Sequence, residues 1–282
     1  MATQYTSDAK SVYRLNRPEY RRQAFADLSC RRLTPQLLQG VGMESIVETL
    51  YRRLRQDIIE CELTPGRAFS ETEFGRLYNA SRTPIREVCR RLENDGLIRI
   101  IPFRGYRIAP LSVAEFHDLE ELQLIFEPEA AALAAERASD EEIAEMKKLA
   151  TYEYRVGDRS SYREFIQTNY QLHTLIAQST RNLRLHDVVS NAHVRLMRFF
   201  YLGLPFDSYG PALVTEHIRL VDAIASRNAS DARHYAGEHI RQAMQRSASM
   251  LMNAIRFGEA VFGANQSLGG TIPNAAAGVR RS

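Results

Sequence analysis

Apolar residues recur at helical spacing along most of this chain, and one short basic stretch breaks the pattern with strand-like runs. In ETLYRRLRQDIIECEL the residues Leu50, Leu54, Ile58 and Cys61 form one stripe, and Thr64-Pro65-Gly66 ends it. FSETEFGRLYNA opens with a Ser70-x-x-Glu73 capping box and turns Phe74 and Leu77 inward. In the next segment Ile85, Val88, Cys89 and Leu92 follow the i, i+3, i+4, i+7 spacing of a buried face, with Arg82, Arg86, Arg90 and Glu93 opposite. Pro84 fits only the first turn of that helix, with Ser81 or Thr83 as N-cap, and Asn94-Asp95-Gly96 closes it. Leu97 to Ile101 and Tyr106 to Ala109 are then β-rich runs around a Pro102-Phe103-Arg104-Gly105 turn. Three helices and a two-stranded wing predict a winged helix-turn-helix over residues 44–110.

From Pro110-Leu111-Ser112 onward the period is helical throughout. Residues 113–137, 140–156, 160–179, 182–202, 211–227 and 230–255 read as six amphipathic helices, and Pro128 is expected to kink the first. Short breaks separate them at Ser139-Asp140, Gly157-Asp158, Thr180-Arg181-Asn182, Pro205 to Pro211 and Asn228-Ala229-Ser230. Such connections favour antiparallel neighbours, so residues 111–256 predict an all-α bundle. The fold class is therefore mainly α, a winged helix-turn-helix followed by a helical bundle. Residues 257–282, rich in Gly, Asn and Ala, read as a flexible tail.

Composition narrows the class without changing this picture. With 44% hydrophobic and 25% charged residues, the 282-residue chain has the make-up of an ordinary globular protein. No apolar run approaches the roughly 18 to 20 residues of a membrane span, and MATQYTSDAK is not a signal peptide, so the expectation is a cytoplasmic protein with no membrane partner. Cys30, Cys61 and Cys89 are odd in number and show no paired spacing, which reads as reduced thiols. The net charge of +3 conceals a gradient: seven Lys/Arg against three Asp/Glu in residues 1–43, twelve against ten in 44–110, and fifteen against twenty in 111–252. A basic front and an acidic rear are what a chain would show if only its first part meets a polyanion. Residues 1–43 form a basic extension, either an arm on phosphates or a segment packed on the domain.

Arginines at the mouth of the third helix give this gradient a chemistry. In a helix-turn-helix the second helix of the motif enters the major groove N-terminus first, and a guanidinium fork there can grip guanine or phosphate. The stretch LTPGRAFSETEFGRLYNASRTPIREVCRRLENDGLIRIIPFRGYRIAPLS closely resembles the N-terminal domain of the GntR family of bacterial transcription regulators. That resemblance implies contacts to double-stranded DNA from Arg82, Thr83 and Arg86, with Gly105 at a wing tip approaching the minor groove. Arg104 beside it is added on charge alone. One such module covers few base pairs, which implies a homodimer on an inverted repeat.

In the bundle TNYQLHTLI places Asn169 and His173 one turn apart, VTEHIRLVDAI supplies His217, and YAGEHIRQAM supplies His239. His217 precedes the turn near residue 228 by about eleven residues and His239 follows it by about eleven, so at roughly 1.5 Å per residue the two come level in an antiparallel pair. Three imidazoles can then converge in the core. Residues 113–252 resemble the FCD effector domain of FadR-type GntR regulators, and the resemblance implies a metal site of Asn169, His173, His217 and His239 holding a small carboxylate effector. Asn169 stands where Asp is commoner, and Gln123 where many relatives carry Arg. Imidazoles and an amide favour Zn²⁺ or Ni²⁺ over Mg²⁺ or Ca²⁺. His117, His186, His193 and His234 fit no part of the motif and read as surface or packing residues. The function expected is a ligand-released repressor. A metal-sensing regulator and a three-histidine hydrolase are the competing readings, and the hydrolase lacks a general base facing the metal, since Glu216 and Glu238 point about 100° away from their neighbouring histidines.

Overall fold

The structure is a computed structural model, which describes residues 45–155, 158–203 and 210–262, with side chains as far as 246 and without that of residue 159. The N-terminal extension, the centre of the Pro205–Pro211 break and residues 263–282 lie outside the described residues.

Helix α1 (Ile46–Ile59) buries Leu50, Leu54, Ile58 and Ile59. Cys61 was expected on the same stripe but lies beyond the helix end, half-buried and at φ +56°, where the chain reverses. Strand β1 (Ala68–Phe69) leads into α2 (Glu71–Tyr78), whose start is the predicted capping box, Ser70 Oγ accepting from the Glu73 amide and Glu73 accepting from the Ser70 amide. Helix α3 (Arg82–Asn94) has Ser81 as N-cap and buries Ile85, Val88, Cys89 and Leu92. Gly96, at φ +72°, turns the chain into β2 (Ile98–Ile101) and β3 (Gly105–Ile108). The wing has three strands and not two. β1 pairs with β3 through Ala68 opposite Arg107 and Phe69 opposite Tyr106, so the sheet order is β1-β3-β2. A two-residue strand is too short to leave a period in the sequence. Phe69 stacks on Phe74 at 4.8 Å between centroids, which closes the small core of this module.

The bundle consists of α4 (Val113–Arg137), α5 (Asp140–Leu149), α6 (Arg159–Ser179), α7 (Leu183–Gly203), α8 (Gly210–Ala225) and α9 (Ala229–Phe262). α5 stops at Leu149, seven residues before the predicted end, because Tyr154 leaves the helical path to pack on Tyr162 and Phe165. α9 runs to Phe262, past the composition change at 257. Caps mark the starts: Ser139 with Glu142 forms a second capping box on α5, and the Asp158 carboxylate accepts from the amides of Ser160 and Ser161 at α6. α4 and α9 pack along each other over alanines, including Ala131, Ala134 and Ala135 of α4 with Ala232 and Ala236 of α9. Small side chains let two backbones approach closely.

Bundle and winged module share contacts. Val194 of α7 belongs to the winged module's core, Asn191 Nδ2 donates to the Asn94 carbonyl at 3.1 Å, and Arg198 donates to the Ala109 carbonyl at 2.6 Å. Arg163 of α6 binds Glu60 with both arms of its guanidinium.

Candidate metal centre and nucleic-acid face

Four helices deliver imidazoles to one point in the bundle. His173 comes from α6, His193 from α7, His217 from α8 and His239 from α9, and each is almost fully buried. The ring centroids of His173 lie 5.5 Å from His217 and 5.3 Å from His239, and those of His217 and His239 are 4.7 Å apart. One ring nitrogen from each of these three lies within 4.8 Å of the other two.

Carboxylates fix which nitrogen faces inward. Glu127 Oε2 accepts from His173 Nδ1 at 2.5 Å, and Glu216 Oε2 accepts from His239 Nδ1 at 2.9 Å, so both rings carry their proton on Nδ1 and present an Nε2 lone pair. Glu216 is itself gripped by both arms of Arg246 at 2.6 and 2.7 Å. His217 Nε2 is buried and has no hydrogen-bond partner. A buried unpaired nitrogen is costly, and one set beside two inward lone pairs fits a shared electrophile. Burial, reinforced by the neighbouring histidines, pushes His217 well below its ordinary pKa, and burial lowers His173 and His239 too. Burial alone would raise the Glu127 carboxyl, but His173 and His193 outweigh it and hold Glu127 well below the usual carboxylate range. His173, His217 and His239 are thus biased to the neutral form and Glu127 and Glu216 to the ionised one, the protonation states that divalent metals require.

Asn169, one turn before His173, lines a cleft of about 610 Å³, part of it open to solvent, together with Gln123, His193, His239 and Arg246. Phe165, Phe200 and Leu213 supply apolar wall. Two members of the centre escaped the sequence reading. Glu127 carries no pattern that marks it in the sequence, and His193, which reads there as a surface or packing residue, stacks on His173 at 4.3 Å and gives its Nε2 proton to Glu127 Oε1 at 2.8 Å. Gln123 lies 3.1 Å from the same nitrogen. Glu127, His173 and His193 form a second group with metal-ligand spacing, sharing His173 with the first. His117, His186 and His234 are outside the cluster, beside Glu120, Asp187 and Glu238 respectively.

In the winged module, Arg82, Thr83 and Arg86 stand exposed on the first turns of α3. Arg86 Nε pairs with Glu71 Oε1 at 2.6 Å, a surface ion pair of the kind worth little in water and easily exchanged for another acceptor. Gly105 is not at the extreme tip. It begins β3 at φ +106°, and a Cβ there would lie 2.4 Å from the Phe69 carbonyl oxygen, so the pairing of β1 itself demands a glycine. The tip is Pro102-Phe103-Arg104.

Residues 46–108 match the model for bacterial regulatory proteins of the gntR family, and residues 118–242 match the FCD domain model. The chain belongs to the GntR family of transcriptional regulators. Among similar proteins, the HTH-type transcriptional repressor RspR of Escherichia coli (strain K12) is 24% identical over 71% of this chain and 87% of its own. The HTH-type transcriptional regulator YdhC of Bacillus subtilis (strain 168) is 24% identical over 67% of this chain and 85% of its own. In fold, this GntR protein is similar to E. coli McbR/YncC, with a TM-score of 0.60 at 16% identity over 74% of this chain and all of that one. It is a DNA-binding regulator and not an enzyme. No helix of the described residues is long and apolar enough to cross a membrane.

Proposed function

We propose that this GntR regulator is a homodimeric cytoplasmic repressor of the FadR type, released from an inverted-repeat operator by a small carboxylate bound at a divalent metal. Residues 44–110 form the DNA module, with Arg82, Thr83 and Arg86 reading base edges and phosphates and Arg104 and Gly105 following the wing. Residues 111–256 form the effector and dimerisation domain. The observation that carries the reading is the convergence of three buried histidines on one point, with His217 Nε2 left unpaired there. His173, His217 and His239 would hold the ion, with Asn169 as a neutral oxygen donor, and Zn²⁺ or Ni²⁺ suits that set. When bound, the ion would supply an electrophile for a carboxylate. Glu127 and Glu216 hold the imidazoles in the ligating tautomer, Gln123 and Arg246 offer polar contacts in the cleft, and its phenylalanines exclude water from the ligand's body.

The test is a thermal-shift screen of organic acids and amino acids with and without Zn²⁺ or Ni²⁺, since a ligand of the native state raises Tm. A metal-dependent rise for one acid, lost in the double variant His217→Ala, His239→Ala while that variant still binds DNA, is the expected result. A response to metal that no acid modifies would make the cation itself the signal. Full acid response in the double variant would place the effector elsewhere.

A further inference from the structure

Phe103 is the most exposed large hydrophobic side chain described, at 108% of its reference area. Single exposed hydrophobics are common, but this one also occupies a backbone conformation that disfavours it. The Arg104 amide donates to the Ile101 carbonyl at 3.0 Å, closing a four-residue turn with Pro102 and Phe103 at its centre. Pro102 fixes a negative φ, and Phe103 has φ +63°, the pattern of a type II turn. That second central position favours glycine or asparagine, and a bulky residue with positive φ is an outlier. Folding therefore explains neither the ring nor its conformation, because the side chain packs on nothing and strains the turn.

Behind the tip the wing carries an arrangement that also works against folding. Arg99 of β2 and Arg107 of β3 are directly opposite in the register, both exposed, with Arg104 at the tip beyond them; Arg107 donates to the Gly66 carbonyl at 3.2 Å, but no carboxylate is paired with either arginine among the described residues. Like charges opposite each other on one sheet face are destabilising unless an anion lies across them. The other face of the same strands, with Ile98, Tyr106 and Ile108, is buried in the module's core, so this face is the outer one. An arginine-lined ribbon with a protruding aromatic at its end, on a DNA-binding domain, matches the way proteins enter the minor groove and unstack a base step with an apolar wedge.

We infer that the wing is a DNA-deforming element in which Phe103 acts as a minor-groove wedge, steadied by phosphate contacts from Arg99, Arg104 and Arg107. It contributes shape selectivity at the operator flanks, favouring flexible pyrimidine–purine steps, which unstack most easily.

The experiment uses the full-length protein and duplexes enriched from a random-sequence pool by the parent. Phe103→Gly and Phe103→Asn suit the positive φ, so Tm should stay level or rise while affinity falls about tenfold. The slope of log Kd against log salt should not change in either, because no charge is removed, whereas Arg99→Ala with Arg107→Ala should flatten it. Phe103→Leu keeps an apolar wedge and should retain most of the affinity. With 2-aminopurine placed along the flanks, the parent should raise fluorescence at one step on each side and Phe103→Gly should not. Glycine and asparagine variants that bind within twofold of the parent would overturn the wedge, as would a parent that perturbs no flanking base. Arg86→Ala is the control: if it loses affinity while Phe103→Gly does not, only the wedge is lost, and if neither loses affinity the docking of α3 is wrong as well.

Discussion

Glu127 is the residue on which the histidine centre turns. One carboxylate oxygen holds His173 and the other holds His193, so a single side chain sets the orientation of rings from two helices. Glu127→Gln keeps the shape but replaces one acceptor oxygen with a donor that cannot take an N–H, and outer carboxylates of this kind typically govern about 10- to 100-fold in metal affinity. A chelator-competition titration with Zn²⁺ should show a loss in that range with DNA binding unchanged; unchanged metal affinity would mean the carboxylate does not orient the site. His217 and His239 were legible in the sequence because equal distances from one turn bring them level, and His173 because it stands one helical turn after Asn169 in the motif that resembles the FCD domain. Glu127 was not, because α4 buries residues around most of its circumference and leaves no polar stripe against which one buried acid stands out. His193 was hidden for a related reason: it lies on the same buried stretch as Val189, Ala192 and Leu196, where one imidazole reads as packing.

Among the elements, α7 reaches both the histidine centre and the base of α3. Its His193 faces the histidine centre, while Asn191 and Arg195, two residues to either side, face the winged module. Arg195 lies so close over Gly96 that a Cβ there would come within 2.1 Å of its guanidinium, and Asn191 holds the last carbonyl of α3. A small rotation of α7 on ligand binding would therefore shift the base of the helix proposed to read DNA. Asn191→Ala combined with Arg195→Ala should leave DNA affinity near that of the parent and weaken the effector's influence on it. Reciprocal coupling typically spans about 5- to 150-fold, and fluorescence anisotropy with and without effector would show it collapsing towards one. Parental coupling in the double variant would exclude this route. The six bundle helices were readable from their period and the α3 face from its arginines, whereas β1 and the early end of α5 were not. A two-residue strand is held by its partner's register and α5 by an aromatic contact made later in the chain, and neither leaves a local signal.

For the whole molecule, one recognition helix of this kind reads only a few base pairs, so on the proposed function operator recognition would call for two copies related by a twofold axis. Sedimentation velocity at micromolar concentration should give twice the 32.2 kDa chain mass, with and without DNA; a monomer under both conditions would contradict it. The alanine seam between α4 and α9 then acquires a mechanical meaning. The alanines that line it are buried on both helices, and a larger side chain such as Leu at Ala134, which is fully buried, has no room to enter. On the proposed function the seam would be the stator of the machine: a post on which Glu127 and His239 keep fixed coordinates while α7 moves against them, so that an ion's arrival would be measured from a stationary origin.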